Sequence, residues 1–376
     1  MNMRGEFKNI RRLVVKVGTS TLIHANGQLN LERMERLVRE LADLHNRDIE
    51  VVLVSSGAVG TGANRMNMKK IPKTLPEKQA LAAIGQGRLL HMYEKFFADY
   101  GKTVAQVLLT REDLDERIRY LNATNTLLAI LNMRVIPIIN ENDTVVVEEI
   151  KIGDNDTLST MVAGIINADL LIILSDVDGF YDSNPRTNKN ARLQSEVYEI
   201  TEAMEANAVA RGTTFASGGM LTKLKSARIC MAAGIPMVIA NSAEKNVIRR
   251  IVAGEELGTV FVPREEKMPS RKKWLAFGSA EHGQIQVDHG AELALLNRGK
   301  SLLASGVTAV ADDFERGTVI GVINAAGREI ARGLTNYSSI EIRQIAGHKS
   351  GDIEKILGTK DYDEVIHRDN LWVNSL

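Results

Sequence analysis

The sequence has one cysteine, Cys230, among 376 residues, so it can form no intrachain disulfide and fits a reducing compartment. It has no excess of either charge, since Lys plus Arg and Asp plus Glu both number 47. Attachment to nucleic acid or an anionic membrane by overall charge is thereby excluded. No apolar run approaches the roughly 20 residues of a membrane span. Met1 to Arg12 is polar and basic and leads into only a few apolar residues, so no secretory leader is expected and a cytoplasmic location is. The 7 histidines show no pair at metal-ligand spacing, and no protein-held metal is expected. The common nucleotide motifs are missing too. Gly299-Lys300-Ser301 imitates the end of a P-loop, but Ala294 stands where its first glycine must be. Gly85-Gln86-Gly87 would need a glycine at position 90, which is Leu90, and Gly57, Gly60 and Gly62 are wrongly ordered for a dinucleotide fingerprint.

What is present is strand–helix alternation in a chain long enough for two domains. Strands are expected at Leu13 to Val17, Val51 to Val54, Val104 to Leu109, Val135 to Ile139, Leu170 to Leu174 and Met237 to Ala240. Asn30 is a candidate N-cap for a helix whose apolar stripe is Met34, Leu37, Val38, Leu41 and Leu44. The pattern predicts an α/β fold with a mainly parallel sheet covered by helices on both faces. Composition shifts at Pro263 to Ser270, followed by Arg271-Lys272-Lys273, which reads as a linker. Short glycine-broken segments follow, such as Gly283 to Val287 and Gly317 to Ile323, and suggest a small β-rich domain. The expected division is 1–262, a linker 263–275, and 276–376.

Two polar clusters carry the most information. Ile139-Asn140-Glu141-Asn142-Asp143 follows an apolar run, and Gly153-Asp154-Asn155-Asp156 comes soon after it. In open α/β sheets ligands bind just beyond the carboxyl ends of the strands. Short carboxylates and carboxamides there suit a small zwitterion, although ordinary surface turns use the same residues.

Two lysine loops complete the pattern. In Lys16-Val17-Gly18-Thr19-Ser20 a strand lysine, costly if unpaired, runs into a glycine and two hydroxyls, and no helix is expected before about Asn30. In Ser217-Gly218-Gly219-Met220-Leu221-Thr222-Lys223 paired glycines open a helix that runs to about Ala233, and its N-terminus can receive an anion. Cys230 falls on an apolar face of that helix and reads as core.

These segments, together with Val54-Ser55-Ser56-Gly57-Ala58, resemble in order and spacing the glutamate 5-kinase branch of the amino acid kinase superfamily. The resemblance covers nearly the whole chain and includes a C-terminal domain that looks like a PUA module. Aspartokinases and acetylglutamate kinases typically carry two glycines after the first lysine, whereas this chain has Gly18-Thr19-Ser20. The resemblance implies ATP-dependent phosphorylation of the side-chain carboxylate of L-glutamate, the first step of proline synthesis. It implies ATP with Mg²⁺ held mainly through the phosphates. Lys16, Lys223 and Asp156 are then the catalytic group, with Asp156 holding the lysines. Ser56, Asp143 and Asn155 would bind glutamate, Asp143 pairing with the α-ammonium and Asn155 donating to a carboxylate. ATP would meet Lys16, Ser175, Asp176, Ser217, Gly218, Gly219, Met220, Leu221, Thr222 and Lys223. Proline as feedback inhibitor, a γ-glutamyl phosphate reductase as consumer of the product, and assembly into a dimer or tetramer are further implications. The 215–221 region departs from the usual pattern: Ser217 replaces a threonine, Leu221 a small polar residue, and Phe215-Ala216 a glycine-richer lead-in. Both glycines and Lys223 are retained.

PUA modules often bind RNA, but from Ala276 to Leu376 there are 10 Lys or Arg against 14 Asp or Glu. That balance argues against RNA and for an interaction or regulatory role. Two other readings remain open: a sister kinase acting on another small carboxylate or phosphate, and a non-catalytic RNA- or protein-binding regulator.

Overall fold

The computed structural model describes residues 3–24, 27–68, 70–146, 155–183, 185, 188, 190–209, 219–263 and 283–374. Gly153, Asp154, Ser217, Gly218 and most of the expected linker lie outside the described residues. The chain divides into two compact units, Met1–Glu266 and Lys267–Leu376.

The first unit opens with a short helix α1 (Met3–Glu6), strand β1 (Arg12–Val17), one turn of helix α2 (Thr19–Leu22), helix α3 (Leu31–Asn46) and strand β2 (Glu50–Ser55). Helices α4 (Ala58–Arg65) and α5 (Leu75–Asp99) lead to β3 (Val104–Leu109), then α6 (Arg111–Asp115), α7 (Arg117–Asn132) and β4 (Ile136–Glu141). Helix α8 (Asn155–Ile165), β5 (Leu170–Ser175), β6 (Glu196–Val197), α9 (Glu202–Val209), α10 (Met220–Ala232), β7 (Met237–Asn241), α11 (Val247–Val252) and β8 (Thr259–Phe261) follow. The strands form one eight-stranded sheet ordered β3-β4-β2-β1-β5-β7-β8-β6. All its pairs are parallel except β7–β8.

Sequence logic explains most of this. Strands β1, β2, β4 and β5 are almost wholly buried, because their continuous apolar runs are covered on both faces as a parallel sheet requires. Asn30 caps α3 by accepting from Arg33 N at 3.1 Å, and the stripe from Met34 to Leu44 is buried in the core. The glycines dismissed as a nucleotide motif set a helix contact instead. A Cβ on Gly62 would sit 1.9 Å from the Leu81 carbonyl oxygen, and one on Gly85 would sit 1.8 Å from that of Ala58. Only glycine lets α4 and α5 approach so closely.

Two expectations need correction. Helix begins directly after Gly18, as α2, rather than waiting for Asn30; the turn Thr19–Leu22 is too short to show periodicity in sequence. Strand β4 runs to Glu141, not Ile139, so Asn140 and Glu141 are buried residues of the strand and do not lie beyond it.

The second unit holds a separate five-stranded sheet with strands β9 (Gln284–Val287), β10 (Val307–Ala311), β11 (Val319–Ile323), β12 (Glu329–Leu334) and β13 (Leu371–Val373). Their order is β10-β9-β11-β12-β13. The sheet is mixed, with β9 and β11 parallel, and it has its own core around Ile285, Leu302, Ile320, Ile330 and Val365.

Candidate active site

Strand β1 occupies the middle of the sheet, with β2 on one side and β5 on the other. The chain moves outward on one flank through β2, β3 and β4, then crosses on α8 to β5. A sheet whose strand order reverses in this way leaves a crevice beyond its carboxyl edge. The carboxyl ends of the central strands are level there, with Val17 opposite Ser55 and Ser175 opposite Asn241.

Lys16 is the penultimate residue of β1 and is buried between Val54 and Ile173 of the adjoining strands. An ammonium in such apolar surroundings needs a partner. Asp156, the second residue of α8 and fully buried, supplies it: Lys16 Nζ lies 2.5 Å from Asp156 Oδ1. The other carboxylate oxygen, Oδ2, accepts from Lys223 Nζ at 3.0 Å, and Lys223 is also buried. Burial alone would raise the Asp156 carboxyl, but the two ammonium groups together hold it below the ordinary carboxylate value. The helix start favours the same charge. Two buried ammonium groups thus converge on one buried carboxylate at the crevice. Gly18 borders it, since its Cβ position is 3.8 Å from Lys16 Nζ. Gly219 precedes α10, and among the described residues nothing lies within 4 Å of its Cβ position. Thr222 turns its hydroxyl back to the Gly219 carbonyl at 2.7 Å, while Met220 and Leu221 are half-buried in the first turn.

A carboxamide cluster adjoins Asp156 through its neighbour Asn155. Asn155 Nδ2 lies 3.0 Å from Ser55 O, 2.7 Å from Ser56 Oγ and 3.0 Å from Asn140 Oδ1, donating within the cluster. Asn140 Oδ1 also accepts from Glu141 N at 2.9 Å. The Asn140 Nδ2 donates to Gln86 Oε1 at 2.8 Å. Asp143 is half-buried in the turn that follows β4. The structure thus brings Ser56 and Asn155 into hydrogen-bond contact and joins them to Asn140 and Gln86, two residues absent from the expected site. Asn140 belongs to the polar cluster that marks the site in the sequence, whereas Gln86, inside the Gly85-Gln86-Gly87 triplet, carries no signal of its own.

Ser175 ends β5, and its hydroxyl donates to the exposed Asp176 at 3.3 Å. The end of β5 and the turn after it are tied to the end of β7: Ser242 N, just past β7, donates to Ser175 O at 2.8 Å, and Asn241 Nδ2 donates to Asp178 at 2.7 Å. Thr21 Oγ1 donates to Ser242 Oγ at 2.9 Å, linking this loop to α2 and thus to the Lys16 segment.

This geometry can be set beside known proteins. Residues 11–241 match the model of the amino acid kinase family, and residues 283–357 match the PUA domain. The glutamate 5-kinase of Moorella thermoacetica is 56% identical over 363 residues, which cover 96% of each chain. That of Caldanaerobacter subterraneus is 55% identical over 362 residues, covering 96% of this chain and 97% of the other. The chain belongs to the glutamate 5-kinase group of the amino acid kinase family. The amino acid kinase match runs from the start of β1 to the end of β7 and so takes in the Lys16–Asp156–Lys223 cluster and the carboxamide cluster. The PUA match begins immediately before β9. A UMP kinase structure from Bacillus anthracis aligns at a TM-score of 0.47 and 19% identity over 67% of this chain and 96% of that one, too distant to bear on the site.

Proposed function

We infer that this chain transfers the terminal phosphoryl group of ATP to the side-chain carboxylate of L-glutamate, giving γ-glutamyl phosphate for proline synthesis. The observation that carries the reading is the pair of buried lysines on one carboxylate, beside a carboxamide cluster at the sheet's carboxyl edge. The acceptor carboxylate, with an ordinary pKa of about 4.3, is already ionised at neutral pH. No general base is required; the difficulty is that an anion must approach a polyanion in line. Catalysis then consists of positioning and charge stabilisation. Lys16 and Lys223 stabilise the transferring group from two elements, and Asp156 holds both ammonium groups in place. Gly219, Met220, Leu221 and Thr222, with Ser217 and Gly218 before them, receive the nucleotide phosphates at the α10 start, and Ser175 and Asp176 border the nucleotide. Ser56, Asp143 and Asn155 hold glutamate, with Asp143 facing its ammonium.

No group of three or more His, Cys, Asp or Glu able to hold a metal occurs among the described residues. The side chains at the crevice are largely amides, hydroxyls and ammonium groups, and Asp156 already serves two lysines, so these residues do not fit a protein-held cation. Mg²⁺ belongs in this reading with the ATP phosphates, as part of the nucleotide complex.

Proline resembles part of the glutamate backbone and competes at Asp143 and Asn155 as feedback inhibitor. The catalytic domain is 1–262, joined through 263–275 to the PUA-like domain 276–376, which serves assembly or regulation. A homodimer or homotetramer in the cytoplasm, handing its labile acyl phosphate to a reductase, completes the proposal. No helix among the described residues is long and apolar enough to cross a membrane. ADP release measured with glutamate, aspartate and acetylglutamate tests the core of it. Turnover that depends on glutamate is expected; turnover with another acceptor alone would assign the chain to a sister activity.

A further inference from the structure

Helix α5 carries three polar side chains spaced seven residues apart: Gln79, Gln86 and Tyr93. Seven residues are nearly two helical turns, so the three lie along one stripe. Each bonds a different part of the acceptor side. Gln79 Nε2 donates to Val146 O at 3.0 Å, three residues beyond Asp143. Gln86 Oε1 accepts from Asn140 Nδ2 at 2.8 Å, and the Tyr93 hydroxyl pairs with Ser55 Oγ at 2.9 Å. The close approach of α4 and α5 at Gly62 and Gly85, the latter adjacent to Gln86, holds this stripe in place.

The middle bond has a directional consequence. Glu141 N can only donate, so its 2.9 Å bond fixes which end of the Asn140 amide is the oxygen. The same oxygen accepts from Asn155 Nδ2 at 3.0 Å. The Asn140 Nδ2 then faces away from Asn155, and in a site where Asn140 is 3% exposed it needs a protein acceptor. Gln86 Oε1 is that acceptor. We propose that Gln86 is a positioning residue that sets the orientation of Asn140, and through it of Asn155, and so determines affinity for the small carboxylate acceptor without touching it. This rests on the phosphoryl-transfer reading above and adds a residue to its acceptor side.

Steady-state kinetics of Gln86→Leu and Gln86→Glu test it, with KM for glutamate and for ATP measured separately and melting temperature as a fold control. Gln86→Leu removes the acceptor and is expected to raise KM for glutamate about 10-fold or more while KM for ATP stays within about twofold. Gln86→Glu retains an oxygen at the same reach and is expected to restore KM for glutamate to within about threefold of the parent. Should the leucine variant fail to fold, Gln86→Asn, which draws the amide back by one methylene, is expected to show the same selective rise. An unchanged KM for glutamate in a folded Gln86→Leu or Gln86→Asn variant overturns the proposal, as do equal losses for both substrates or no rescue by Gln86→Glu. A parent enzyme with no glutamate-dependent turnover would instead overturn the functional reading, so the two failures are told apart.

Discussion

Lys16 and Lys223 reach one carboxylate from opposite parts of the fold, Lys16 from the centre of the sheet and Lys223 from the first turns of α10, and Asp156 separates their ammonium groups. Removing either lysine leaves the other still paired, so the protein should fold. Lys16→Ala and Lys223→Ala are each expected to lower kcat by about 10² to 10³, the usual loss for one transition-state donor. Stopped-flow or coupled ADP assays would measure it, and full activity in either variant would remove that lysine from the mechanism.

Asp156→Asn has a different signature. It removes the carboxylate that two buried ammonium groups share, and breaking a buried ion pair costs about 3 to 5 kcal/mol. Both a lower melting temperature and a lower kcat are expected. Because the Asp156 pKa is depressed, the stability it confers is fully present above the ordinary carboxylate range and is lost only as pH falls through its folded value. The parent's activity between about pH 6 and 9 should therefore show no limb from this group. An Asp156→Asn variant whose pH profile gains stability relative to the parent in that window would contradict the assignment.

Asp143→Asn removes the charge that faces the acceptor's ammonium in the proposed complex. Loss of a buried charged hydrogen bond costs about 2 to 5 kcal/mol, so KM for glutamate should rise steeply with little change for ATP. Parallel titrations of the two substrates decide it, and equal weakening of both would take Asp143 out of the acceptor site.

The thiol of Cys230 is fully buried, and burial pushes its pKa up to about 12, opposed by a hydrogen bond with Thr160. A thiol so protonated is a poor nucleophile at neutral pH. Native protein should not react with an aromatic disulfide reagent, and one equivalent should react after denaturation. Prompt native labelling would mean that α10, which carries Lys223 on the same helix, opens readily.

Much of this was legible in the sequence, for physical reasons. Leu170 to Leu174 announced a central strand because burial on both faces demands a continuous apolar run, and the α3 stripe announced a helix because its period is 3.6. The joining of Asp156 to both lysines could not be read from spacing, since 140 residues separate Lys16 from Asp156; only the family resemblance placed them together. Gln86 could not be read from the sequence because its partner Asn140 lies 54 residues away and a lone glutamine in a helix interrupts no pattern. Asn140 and Glu141 are expected just beyond the strand because polar residues seldom end a buried strand unless bonded, and bonds to Asn140 come from Gln86 and Asn155, distant in sequence.

Deleting residues from Ala276 onward should leave a kinase that folds and turns over. The first unit has its own core, built on β1, β2 and α3, and the second has a separate one around Ile285 and Val365. The residues tied to the proposed chemistry all precede Pro263. Domains with their own cores generally survive separation. Because proline is expected to compete at Asp143 and Asn155, the truncated protein should keep catalysis and some sensitivity to proline, while assembly or regulation changes. Steady-state assays of the truncation with and without proline, beside its solution mass, would test each part. A soluble and folded truncation without kinase activity would overturn the division of labour and make the C-terminal unit part of the active enzyme.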